Sequence, residues 1–271
     1  MQKSKILTYL VLICCSLVMV FPFIWMLLTS LKSIGEITLI PPTFFPENPT
    51  LDNYRVLFDK LPYVQLFANT FLSTGARIFF QLLFCSMAAY SFAKIKFPGK
   101  NILFSLVLSV MMVPGQLYLI PQYQIVTKLG LANTVGALII TSLASAFGIF
   151  LLKQFFATLP DELMESAKID GCSHPRIYFS IMLPLVGPAL VTLAIFVIIW
   201  TWNDLMWPLI INTSLEKMPL AAGLALLAFG EYGTQYNILM AGAAFATIPV
   251  LIVFASLQKY YVEGIKLSGM K

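Results

Sequence analysis

The residues best equipped for chemistry are few and scattered. His174 is the single histidine and stands beside Pro175, with no base and no second ligand near it in the chain. Cys14, Cys15, Cys85 and Cys172 lack metal-ligand spacing and make no pair of the extracellular kind, so they read as small packing residues. No nucleophile stands with a base, no paired carboxylates fall inside an apolar run, and no G-x-x-x-x-G-K segment offers a phosphate cradle. What remains is Arg77 within one apolar run, Asn203 and Asp204 near the end of another, and a polar insert at 159–184, LPDELMESAKIDGCSHPRIYFSIMLP. Such residues suit recognition and mechanical work rather than bond making.

The elements that position them follow from composition. Of 271 residues 59% are apolar and 11% charged, against roughly 25% charged in a soluble protein. A soluble domain of this size could not cover that much apolar surface. The expected class is an all-α polytopic membrane protein forming one domain over 1–271. No run of alternating residues suggests a barrel. Six spans of about 20 residues are expected, near 6–28, 66–93, 102–121, 134–152, 185–208 and 238–257. The first exceeds the ~7–15 residues of a signal-peptide core and reads as a retained helix.

The net charge of +5 reflects lysines gathered on one side of a bilayer rather than nucleic-acid binding. With the N-terminus inside, cytoplasmic segments hold Lys3, Lys5, Lys94, Lys96, Lys100, Lys153, Lys168, Arg176, Lys259, Lys266 and Lys271. The outer ones hold Lys32, Arg55, Lys60, Lys128 and Lys217. This predicts an N-in, C-in chain with a cytoplasmic 159–184 insert. The Pro- and Asn-rich stretch 29–63 reads as an outer surface cap. Trp200, Trp202 and Trp207 suit the outer interfacial belt, and Ala241-Gly242-Ala243-Ala244 allows close helix approach.

Within the insert, Thr158 is expected to cap a helix whose first turn holds Pro160, Asp161 and Glu162. Gly171 is its natural stop, and Ser173 starts a second helix. Leu163, Ser166, Ala167 and Asp170 are expected on one narrow face able to seat in a groove of another protein, with Glu165 and Lys168 making polar contacts.

Glu165-Ser166-Ala167 with Gly171, Ile181, Leu183 and Pro184 resembles the E-A-A loop of permease subunits of bacterial ABC importers. Phe97-Pro98-Gly99, Met112-Val113-Pro114, Ile120-Pro121, Gly130-Leu131-Ala132-Asn133, Phe156-Ala157-Thr158-Leu159-Pro160, Ile169-Asp170-Gly171, Trp202-Asn203-Asp204, Trp207-Pro208-Leu209 and Glu263-Gly264 are similar to carbohydrate permeases of the maltose-transporter type, and the length to its second permease. Two positions depart from the pattern: Ser166 replaces the first alanine, and the tail reads Ser268-Gly269-Met270-Lys271.

The resemblance implies a type I importer permease fold in the bacterial cytoplasmic membrane. It implies a cytoplasmic coupling helix, contacting the ATPase through Leu163, Glu165, Ser166, Ala167, Asp170 and Gly171. It implies a homologous second permease, two ATP-binding subunits, an extracellular solute-binding protein and a sugar or oligosaccharide as solute, an acidic one included. This chain would hold no cofactor; ATP and Mg would sit in the partner ATPase subunits.

Two readings of Arg77 stay open. It faces the solute path and helps recognise an acidic solute such as an acidic sugar or glycerol phosphate, or it pairs with a helix-end carbonyl or snorkels outward. Asp204, with Asn203, lines an outer gate or is an interfacial carboxylate. A self-sufficient secondary transporter or channel is the rival class. It would need intramembrane acidic residues, and only Asp204 comes near a span core.

Overall fold

A computed structural model describes the backbone of residues 2–228 and 235–269 and the side chains of residues 5, 7–228 and 235–256. Met270 and Lys271 at the end of the tail lie outside the described residues, as do the side chains of Lys3, Lys259, Glu263 and Lys266. The described residues form helices and connections with no strand. In chain order the α-helices are α1 Gln2–Ser30, α2 Ile34–Ile37, α3 Asp52–Lys60, α4 Tyr63–Lys94, α5 Lys100–Val110, α6 Leu119–Lys128, α7 Val135–Ile140 and α8 Ala146–Thr158. They continue with α9 Glu162–Ile169, α10 His174–Ile177, α11 Leu183–Leu185, α12 Gly187–Trp202, α13 Met206–Ile211, α14 Leu220–Ala228 and α15 Tyr236–Gly269.

Among the described residues, three helical stretches are long and apolar enough to cross a membrane, Leu7–Ser30, Tyr63–Lys94 and Tyr236–Ser256. Two bent pairs bring the number to five if each is one span: Lys100–Val110 with Gly115–Lys128 at 94°, and His174–Leu185 with Gly187–Trp202 at 77°. The expected spans 102–121, 134–152 and 185–208 are therefore not continuous helices. The first breaks where Pro114 cannot donate a backbone hydrogen bond and Gly115 follows. The second breaks over 141–145, where Ser145 becomes the N-cap of α8 and accepts from the Gly148 amide at 3.0 Å. α8 has 13 residues, about 20 Å at 1.5 Å per residue, short of the ~30 Å hydrocarbon core. The third ends at Asn203, and the chain turns into α13.

The chain forms two compact units. The first comprises residues 1–64 and 222–252. In it, the 29–63 stretch is more than a cap. The buried Asn53 amide donates to the Ser30 and Lys32 carbonyls at 2.7 and 2.8 Å, satisfying backbone oxygens at and beyond the end of α1. The Asn237 amide donates to Asn53 Oδ1 at 2.7 Å. Glu36, also buried, accepts from the Thr43 hydroxyl and the Glu47 amide, while Lys32 donates to the Thr43 carbonyl. The small residues of α15 do permit close approach. A Cβ at Gly242 would lie 2.4 Å from Leu224 Cδ2, and the Gly242 carbonyl accepts from the Tyr63 hydroxyl at 2.7 Å.

The second unit comprises residues 65–221 and 253–271. Its main core joins Tyr90, Leu152, Phe156, Met164, Tyr178 and Leu193 with their neighbours. A smaller core places Val126, Leu138 and Ile211 around Trp207. Trp207 is 5% exposed and its indole N–H donates to the Ala137 carbonyl at 3.1 Å. It is a packing residue, not part of an interfacial belt; its ring met its N–H requirement inside the protein.

Candidate functional site

α4 carries most of the polar work of the second unit. Ser73, Arg77, Gln81 and Cys85 recur every four residues and so share one helical face. Nearer the start, the Asn69 amide donates to the Glu216 and Met218 carbonyls at 2.8 and 2.9 Å, and Thr70 Oγ1 accepts from the Leu220 amide at 2.8 Å. Each of these bonds supplies a loop backbone group with a partner that the apolar surroundings cannot.

Arg77 is 5% exposed. Its Nε donates to the Leu138 carbonyl at 2.7 Å, and Nη1 and Nη2 both donate to Asp204 Oδ2 at 3.1 Å. Leu138 lies in α7, close to the break before α8. Four residues along, Gln81 donates to the Ser142 carbonyl at 2.9 Å and accepts from the Ser145 hydroxyl at 3.0 Å. The break in the expected fourth span thus has its freed carbonyls taken by α4, the condition under which irregular backbone is tolerated among apolar helices. Asp204 is the ion-pair partner of Arg77 rather than an isolated interfacial carboxylate. Asn203 is exposed and its amide donates to the Ile199 carbonyl of its own helix at 2.7 Å, as a helix end-cap. Arg77, Gln81, Tyr118, Ser142 and Trp200 are among the residues around a cavity of about 390 Å³. Thr141, at the same wall, has a buried hydroxyl with no partner among the described residues.

The far end of α4 meets the 159–184 loop. α9 begins at Glu162, with Asp161 in the N-cap position, and Gly171 closes it at φ +78°. That region is one glycine enters without the steric penalty other residues meet. Cys172 N–H then bonds the Ala167 carbonyl and Gly171 N–H the Lys168 carbonyl. Ser173 precedes α10, so the second helix starts where expected. The loop re-enters through a π-helical turn, Tyr178–Met182.

Two expectations are corrected. Thr158 is the last residue of α8 and its hydroxyl bonds back to the Phe155 carbonyl, so it does not cap α9. The face drawn through Leu163, Ser166, Ala167 and Asp170 is not one surface. Met164 and Ala167 are 6% and 5% exposed and belong to the core, whereas Leu163, Glu165, Ser166 and Asp170 are exposed. Ile169, named above only as part of the Ile169-Asp170-Gly171 motif, is 86% exposed. A bare isoleucine on a polar loop is the feature that should have drawn notice.

The loop is tied down by α4. Lys94, the last residue of that helix, has a side chain 4% exposed. Its ammonium donates to the Leu159 carbonyl and to Asp161 Oδ1, each at 2.5 Å. The bond and the positive charge hold the Asp161 carboxyl below its ordinary pKa. Tyr90 OH donates to Met164 Sδ at 3.9 Å, and the Ser86 and Tyr178 hydroxyls lie 2.6 Å apart. His174 and Arg176 are exposed. Among the described residues no group of three or more His, Cys, Asp or Glu could hold a metal ion.

Long apolar helices, broken spans with internally satisfied backbone and a polar loop packed on the core are the features of a multi-pass membrane protein. Residues 81–267 match the family described as binding-protein-dependent transport system inner membrane component, and the chain belongs to that family. It is 36% identical to the arabinooligosaccharides transport system permease protein AraQ of Halalkalibacterium halodurans, over 100% of this chain and 99% of the relative. It is 31% identical to the diacetylchitobiose uptake system permease protein NgcG of Streptomyces coelicolor, over 95% and 86%. The fold is that of a bacterial ABC transporter involved in the import of the acidic polysaccharide alginate, with a TM-score of 0.83, 23% identity and coverage of 96% and 97%.

Proposed function

We propose that this chain is the membrane-spanning subunit of an ATP-driven importer of a neutral sugar or oligosaccharide, and that α9 is its coupling helix. One copy pairs with a related permease. Two ATP-binding subunits engage the pair from the cytoplasm, and an external binding protein delivers the solute. In this reading the chain has six spans with both termini inside, so that 159–184 is cytoplasmic. It supplies no chemistry; ATP and Mg belong to the partner subunits. The observation that carries the reading is α9 itself: a short helix anchored by Met164 and Ala167, stopped by Gly171, with Leu163, Ser166 and Ile169 facing outward. The outer face supplies the contact and the inner face the stiffness, which is what a lever between two proteins requires.

A sugar or oligosaccharide is in keeping with the names of the two relatives, and a neutral one is supported by Arg77. Its charge is compensated by Asp204 within the chain, so it is not a free cation for an acidic solute. The cavity beside it offers amide and hydroxyl groups with Trp200 as an apolar wall, a lining suited to a neutral polyol.

The test is to co-express the chain with the products of its neighbouring genes, purify the complex, and measure ATP hydrolysis with neutral oligosaccharides and with an oligouronate. Stimulation by a neutral sugar, lost in an assembled Gly171→Pro complex, is expected. Proline holds φ near −65° and cannot take the +78° geometry of this turn. Preference for the oligouronate would overturn the solute class. Transport by the isolated chain without an ATP-binding partner would make it a secondary transporter.

A further inference from the structure

Ser86, Tyr90 and Lys94 recur at four-residue spacing on α4, and each holds a different part of the 159–184 loop. Ser86 meets Tyr178 in the re-entrant π-helical turn. Tyr90 meets Met164 on the inner face of α9, and its ring also packs on Phe156 and Tyr178. Lys94 meets Leu159 and Asp161 where α8 ends and α9 begins. Three contacts along one face tie the loop to α4, two of them at α9 and its N-cap.

The Lys94 contact has an unusual cost. Asp161 stands at the N-cap of α9, where a carboxylate ordinarily accepts from the helix's own free amides, yet it makes no such bond. Its carboxylate goes to Lys94 instead. The same ammonium takes the Leu159 carbonyl at the C-cap of α8, the negative end of that helix. Thus α9 forgoes a local cap for a link to α4. The nearly covered ammonium joins three helices at one point.

We infer that Lys94 is a positioning residue that makes α9 and α4 move together, so that displacement of α9 reaches the Arg77 and Gln81 contacts with α7 and the 141–145 break. This rests on the importer reading above. Without the link, α9 still presents its outer face, and a partner can close on it, but the movement is lost in the loop.

The experiment uses the complete complex in proteoliposomes and reads solute moved per ATP hydrolysed. For Lys94→Met we expect hydrolysis within about twofold of wild type and a transport ratio reduced by about tenfold, the size of an ordinary coupling between sites. Lys94→Arg, which keeps the charge and several donors, restores the ratio. A Lys94→Met complex with the wild-type ratio overturns the inference. So does a proportional loss of hydrolysis and uptake in an assembled complex, the mark of a residue that only holds the fold. If Lys94→Met does not assemble, Asp161→Asn carries the test. It weakens the same link from its exposed side, and an unchanged ratio overturns the inference. A wild-type complex with no ATP-linked uptake would instead reject the importer reading itself.

Discussion

α4 holds two covered cations, Arg77 and Lys94, about 25 Å apart along its axis at 1.5 Å per residue. Their side chains are alike in exposure, 6% and 4%. Their partners differ. Asp204 is 23% exposed and shares Arg77 with the Leu138 carbonyl, whereas Asp161 is 76% exposed. The first pair is largely covered by the helices, beside a polar cavity. The second is a link between a covered ammonium and a carboxylate that water reaches. The difference teaches that one stripe of a helix can serve two ends: at Arg77 it stabilises a broken span, and at Lys94 it holds a loop whose surroundings can change.

The largest effect should come from breaking the first pair. Asp204→Leu leaves Arg77 charged and unpaired, and should cost about 3–5 kcal/mol. Arg77→Met added to it should recover most of that loss, as measured by thermal unfolding in detergent. If the double variant is no more stable than the single, the pair is not the unit we describe. Opposite Cys85 of α4, a Cβ at Gly148 of α8 would lie 2.8 Å from Ser145 Oγ and 2.9 Å from Cys85 Sγ. Gly148→Ala should push α8 from α4 and cost about 1–3 kcal/mol, and a neutral result would mean that the packing of α8 on α4 is loose. Gly171→Ala has open space for its Cβ, but the left-handed φ penalises it by about 1–2 kcal/mol. Melting of the complex should register this loss.

The smallest effect on stability belongs to Asp161→Asn, because the carboxylate is exposed. Its pH dependence sharpens the comparison. A carboxyl held below its ordinary pKa contributes stability at pH values above that ordinary pKa, and loses it as pH falls through the lowered one. The difference between wild type and Asp161→Asn in transport per ATP should therefore stay constant as pH falls to the usual carboxylate range, and close only below it. A difference that closes above that range would show that Lys94 does not hold the carboxyl down.

The helical membrane class, the 159–184 loop, the turn at Gly171 and the helix start after Ser173 were legible because each has a local signal. The breaks in the spans were not, since hydropathy averages over a window and does not register chain direction. Pro114-Gly115 and the Ser142–Ser145 pair were the available clues, the second being an N-cap ahead of α8. The Arg77–Asp204 pair spans 127 residues, beyond any periodic pattern. A lone arginine in an apolar run does require a counter-charge, however, and Asp204 was the one carboxylate near a span. The inward turn of Met164 and Ala167 was hidden for another reason: small residues suit a docking face and a tightly packed inner face equally well.

The account turns on which side of α9 meets another protein, and chemical cross-linking reads that directly. Single cysteines replacing Ile169 or Met164, in a chain whose four native cysteines are first changed to alanine, would be treated with a short thiol cross-linker in the purified complex. We predict that Ile169→Cys joins the ATP-binding subunit in an ATP-dependent manner and that Met164→Cys does not. Cross-linking from position 164, or from neither position in an active complex, would contradict the assignment of α9 as the coupling helix.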